Sequence, residues 1–171
     1  MIRRLGSHAG RRIVFGYDRY LAAELGQYLD LLRSYGEVVE AVDAGNLHYL
    51  SSAQLVCESL QADPDAFGVL CCGTGMGMSI AANKFRGIYA ARCMTAEDAD
   101  QARSINNANV VCIAAKSGLA LNRAIVDSFV RTPYVGRKLE QLEAIACFEL
   151  EVTPAPAVPI AAVLRDQRRT A

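Results

Sequence analysis

The chain has 171 residues, 52% of them hydrophobic, and its 18 basic and 18 acidic side chains leave no formal net charge. That length predicts one domain with a sizeable core. Zero net charge excludes a general pull toward nucleic acid or an anionic membrane surface, and no apolar run is long enough for a membrane span.

Six cysteines and two histidines are present. The chain is too long and too apolar for a disulfide-stapled scaffold, so the cysteines read as reduced cytosolic thiols. No C-x-x-C spacing occurs and His8 and His48 lie far apart, so no metal site is expected. The segment 1–11 is basic, has no apolar signal-peptide core after it, and reads as an N-terminal tail.

In chain order, residues 12–16 form a first expected strand and 20–35 a helix, on the spacing of Leu21, Leu25, Tyr28, Leu29 and Leu32, stopped by Gly36. Residues 37–42 read as a short strand and 49–60 as a helix that Asp63-Pro64-Asp65 ends. Residues 67–72 are the third strand, 88–93 the fourth and 110–114 the fifth; helices are expected over 78–84, 96–105, 118–130 and 137–148. Strands alternating with helices predict an α/β fold, a three-layer α/β/α sandwich on a five-stranded parallel Rossmann-like sheet. The domain is taken as residues 12–150. Residues 151–171 read as a Pro-rich C-terminal tail, with Pro154, Pro156 and Pro159 barring regular structure and a short helix possible over 160–167.

The third strand runs into Cys72-Gly73-Thr74-Gly75-Met76-Gly77, a strand, glycine-rich turn and helix. Such a turn lets a ligand approach main-chain N–H groups, and a helix N-terminus favours an anion there. The spacing is neither the dinucleotide G-x-G-x-x-G nor a P-loop. Cys71 and Cys72 face opposite sides of the sheet by alternation. A strand-terminal cysteine at a helix N-terminus is the setting of reactive thiols, although a buried structural cysteine fits the local pattern as well.

Leu70-Cys71-Cys72-Gly73-Thr74-Gly75-Met76-Gly77-Met78-Ser79-Ile80-Ala81-Ala82-Asn83-Lys84 resembles the signature of the type B ribose-5-phosphate isomerase and galactose-6-phosphate isomerase family. Ile13 to Asp18, Asn106 to Val110, Gly136-Arg137 and Leu142 to Ile145 agree in order. The resemblance implies an aldose–ketose isomerase of a phosphorylated sugar, working through a cis-enediol(ate) without a cofactor. It implies a cytoplasmic homodimer, or dimer of dimers, whose sites draw on both subunits. Cys72 aligns with the catalytic base and Thr74 with the residue that handles the hydroxyl proton. Gly73, Gly75, Met76 and Gly77 align with the oxyanion cradle. Asp18 and Asn106 align with sugar-binding residues, and Arg137 with a phosphate-binding arginine.

Three positions depart from the family. Its Asp-His after the first strand is Asp18-Arg19, its His-Asn is Ile105-Asn106, and a second arginine of the last helix is Gln141. Isoleucine cannot open a sugar ring by proton transfer. Arg19 stays cationic and offers a phosphate contact in place of the one lost at Gln141. A four-carbon, open-chain sugar phosphate is therefore expected. The alternatives are ribose 5-phosphate or galactose 6-phosphate isomerisation, and a non-catalytic sugar-phosphate-binding subunit or sensor.

Overall fold

The computed structural model describes residues 3–150. The readings made for residues 151–171 lie outside the described residues. Five strands, β1 (Ile13–Tyr17), β2 (Val38–Glu40), β3 (Phe67–Cys72), β4 (Ala90–Arg92) and β5 (Val110–Ala114), form one sheet in the order β2-β1-β3-β5-β4. Every pairing is parallel; Tyr17 lies beside Cys71, and Cys72 beside Ala114.

Alternate strand residues feed two separate cores, as the pleat requires. Phe15, Phe67, Val69, Cys71 and Ile113 pack with α1 (Leu25–Arg33), α4 (Ala96–Ser104) and α5 (Gly118–Arg131). Val14, Leu70, Cys72 and Cys112 pack with α2 (Tyr49–Ala62) and α3 (Met76–Ala82) on the other face. The expected α/β/α sandwich is therefore present. Helices on both faces explain why β3 and β5 are continuously buried and apolar rather than alternating.

Several boundaries differ from expectation for local reasons. The helix expected over 20–35 is broken. Asp18 accepts the Tyr20 N–H at 3.0 Å and closes a 3₁₀ turn over Arg19–Leu21, and α1 starts only at Leu25. The signature helix starts at Met76, two residues early, because Gly75 already turns the chain in the left-handed region. It ends at Ala82 because the Asn83 amide bridges away, donating to Ser79 O and Ala90 O and accepting the Ala90 N–H. The fourth strand starts at Ala90, since the Tyr89 N–H is taken by Asn109 Oδ1 at 2.8 Å. The last helix, α6, spans Leu139–Cys147, after Lys138 in the left-handed region.

The segment before β1 packs closely. Gly6 pairs with Tyr134 in an antiparallel bridge. His8 is buried and stacks on Phe67, with ring centroids 4.7 Å apart. Its Nε2 lies 3.3 Å from Ala108 O and its Nδ1 3.3 Å from Arg11 Nη1. The carbonyl must accept and the guanidinium must donate, so the ring is neutral with its proton on Nε2. Burial, then Arg103, hold its pKa well below the ordinary value. The unfolded chain therefore binds the proton first. The stability from a neutral His8 is full above about pH 6.5 and is lost as pH falls below it toward the depressed native value. Urea unfolding should show a larger loss between pH 7.5 and pH 5.5 for the native chain than for His8→Phe. Equal losses would remove His8 as the cause.

Candidate active site

The sheet order reverses between β1 and β3, since β2 continues to one side and β5 and β4 to the other. The segments leaving β1 and β3 therefore diverge and open a crevice at their carboxyl ends, where ligands of open α/β sheets bind. Asp18 and Cys72 leave those two strands, and the Asp18 N–H bonds Cys71 O at 3.1 Å. The resulting cleft holds about 200 Å³ and is lined by Asp18, Cys72, Gly73, Thr74 and Gly77, with Tyr20, Tyr49 and Lys116. It is smaller than the roughly 300–1,000 Å³ typical of drug-sized ligands, and suits a small one.

Cys72 is 5% exposed, and its Sγ accepts the Gly75 N–H at 3.2 Å. The turn thus folds back on its own sulfur. Thr74 Oγ1 accepts the Met76 N–H at 3.4 Å, and Thr74 O accepts Arg92 Nε at 2.8 Å, which ties the turn to β4. Burial holds the Asp18 carboxyl above its ordinary pKa, against the opposing pull of the Tyr20 and Gly73 N–H groups. Cys71 lies in the opposite core layer, and burial raises its thiol far above the usual range.

Two glycines of the turn have no substitute. Gly75 sits at φ 72°, and a Cβ there would lie 3.2 Å from the Ile113 carbonyl group. A Cβ on Gly77 would meet the Tyr49 ring at 2.8 Å. Gly75→Ala should cost at least the ~1–2 kcal/mol of a left-handed alanine. The contact with β5 backbone, which cannot swing away, should add to it. A shift of the urea midpoint worth under about 0.5 kcal/mol would show that the turn relaxes freely, well below ordinary core effects.

Arg19, Met76, Asn106 and Arg137 do not line this cleft. Arg19 lies over the Tyr20 ring at 5.6 Å, and Met76 is 51% exposed on the outer side of α3. Asn106 is exposed just before β5, at the amino edge of the sheet. Cys72 is at the carboxyl edge, and a six-residue strand separates those edges by roughly 17 Å. Arg137 is exposed ahead of α6, with its carbonyl held by the Tyr134 hydroxyl at 2.9 Å. Within one chain Asn106 thus lies too far along the sheet to meet Cys72.

Sequence reasoning missed Tyr20, Tyr49 and Lys116. Lys116 was findable, since it leaves the carboxyl end of β5 in the same way that Asp18 leaves β1. Tyr49 carries no such signal; only its packing against Gly77 brings it to the cleft. Among the described residues, no three His, Cys, Asp or Glu side chains are grouped to hold a metal ion, and no helix is long and apolar enough to cross a membrane.

The sequence model of the Ribose/Galactose Isomerase family matches residues 15–145, most of the chain and all of the cleft. The chain belongs to that family. The isomerase fold is correspondingly close to solved members. The type B ribose 5-phosphate isomerase of Trypanosoma brucei superposes with a TM-score of 0.75 at 34% identity, over 82% of this chain and 99% of that one. In sequence, the chain is 37% identical over 126 residues to the DNA damage-repair/toleration protein DRT102 of Arabidopsis thaliana, covering 72% of this chain but 40% of that protein. It is also 41% identical over 70 residues to the D-erythrulose-4-phosphate isomerase of Pectobacterium atrosepticum, 40% of this chain and 46% of that one.

Proposed function

We propose that this isomerase interconverts the aldose and ketose forms of a short, open-chain sugar phosphate. The single observation that carries the reading is Cys72: a thiol in a small cleft that accepts the N–H of Gly75 from a glycine turn and shares the cleft with Asp18 and Lys116. Cys72 as thiolate would take the proton from one of the two carbons C1 and C2 and return it to the other. Thr74 would move the hydroxyl proton, and the turn's N–H groups would hold the enediolate oxygen. Lys116 supplies a cation on the cleft wall for the phosphate, and Arg137 of a second subunit a bidentate one.

The reading calls for a homodimer, in which Asn106 and Arg137 of another copy would complete the cleft. Met76 and Ile80, 51% and 65% exposed, lie one turn apart on α3 beside the cleft and offer that copy an apolar contact. Ile105, where the family's ring-opening histidine stands, favours a substrate without a closed ring. The similarity to an erythrulose-4-phosphate isomerase agrees with that.

The test is kcat/KM for erythrulose 4-phosphate against ribose 5-phosphate. The four-carbon substrate should be the more efficient. Ile105→His should raise turnover of the pentose phosphate and leave the four-carbon rate nearly unchanged. Higher efficiency with the native chain on ribose 5-phosphate would overturn the four-carbon assignment.

A further inference from the structure

Arg103, in the last turn of α4, is 1% exposed and is the largest fully buried side chain of the described residues. Its Nη1 donates to Asn107 Oδ1 at 2.8 Å and to Ala108 O at 2.5 Å, and its Nη2 to Gly6 O at 3.0 Å. The guanidinium carbon lies 5.8 Å from the Phe129 ring centroid. Nε finds no acceptor. Each of these partners is neutral, and among the described residues no carboxylate pairs with Arg103. Burial, and next Arg11, push its pKa down to about 10, so it stays cationic at neutral pH. A buried ion without a counter-charge is among the costliest arrangements in a protein interior.

A second cation lies alongside, partly buried and without an ion pair of its own, although Asp65 attracts it. Arg11 gives Nη1 to His8 Nδ1 and Nη2 to Leu5 O at 3.4 Å, and it too pairs with no carboxylate among the described residues. The nearby acids are engaged: Asp65 pairs with Arg4, and Glu37 and Asp63 pair with Arg12. Between these groups is a void of about 10 Å³, lined by Arg4, His8, Arg11, Arg103, Asn107 and Asn109. That is room for one water-sized sphere. A carboxylate or phosphate does not fit. A water molecule would satisfy Nε but leave two guanidinium charges facing each other.

We propose that this void beneath the N-terminal segment binds one chloride-sized monovalent anion, held by the Arg103 Nε–H and the Arg11 guanidinium. The anion fastens residues 3–11 to α4 and to the start of β5. It is separate from the substrate cleft, since the void lies at the amino edge of the sheet and Cys72 at the carboxyl edge.

The test replaces gluconate by chloride at constant ionic strength and follows thermal unfolding of the full chain. A ligand that binds only the folded state multiplies the folded-to-unfolded ratio by one plus its concentration over Kd. The native chain should show that saturable rise, and Arg11→Gln should need at least about tenfold more chloride for the same rise, the loss expected for one charged contact. Crystals soaked in bromide should show anomalous density within hydrogen-bond reach of Arg103 Nε, which keeps the test decisive if Arg11→Gln does not fold. No chloride dependence in the native chain, the same dependence in Arg11→Gln, or an ordered water in place of bromide would each overturn the proposal.

Discussion

Cys72→Ala is expected to lower kcat by about two to four orders of magnitude, the range a positioned general base contributes. The fold should be nearly unchanged. The side chain removed is small, and the hydrogen bond lost is one from the Gly75 N–H to sulfur. Gly75 keeps its backbone conformation through its packing on β5. Phosphate binding should survive, because Lys116, on the cleft wall, does not depend on the sulfur. The neighbouring thiol supplies the control. Cys71 is fully buried in the opposite core layer, and Cys71→Ala removes packing without touching the cleft. It should cost stability and leave kcat within a few-fold of native. Equal losses of kcat from the two substitutions would remove Cys72 as the base. So would failure of solvent tritium to enter C1 or C2 of the substrate during turnover.

Mixing two inactive chains should restore activity. Cys72→Ala chains keep Asn106 and Arg137, and Asn106→Ala chains keep Cys72, Thr74 and Asp18. The two groups sit at opposite edges of one sheet, so a site that needs both must span two copies. In a closed twofold dimer the contact is reciprocal. A mixed dimer then has one intact site and one doubly damaged one. Random exchange of equal amounts makes half the dimers mixed, for about a quarter of native activity per chain. The measurement is specific activity against time after mixing, with exchange followed independently by native mass spectrometry. Complete exchange without recovery would place each site within one chain.

Most of the sheet was legible because its strands obey local rules. β3 and β5 match their expected limits, each an apolar run that must be buried on both faces. The pairing of Asp18 with the cysteine turn was legible too, since both leave parallel strands at the same edge. The failures are long-range. Nothing near Leu21 announces that Asp18 will spend its side chain on a 3₁₀ turn. Nothing near Gly77 announces Tyr49, 28 residues earlier. Within residues 3–11, part of the segment read as a tail from its charge, Gly6 is held by Arg103 and Tyr134, roughly 100 or more residues away. Pattern reading sees a basic segment; only the fold shows that Arg103 needs its carbonyls.

The Gly6–Tyr134 bridge carries a kinetic consequence. The Gly6 and Tyr134 amides bond each other's carbonyls, at 2.8 and 3.0 Å, and the Tyr134 hydroxyl grips the Arg137 carbonyl. The bridge itself is two hydrogen bonds, with none of the ladder that protects β3 and β5; the rest of the segment is held by side chains, through Arg103 to Gly6 O and the buried His8 ring. In deuterium exchange the bridge amides belong to a local opening, far below the free energy of global unfolding. If the proposed shared site holds, its thiol sits on a central strand of the sheet, whose amides should exchange slowest, and its arginine follows a single bridge whose amides should exchange sooner.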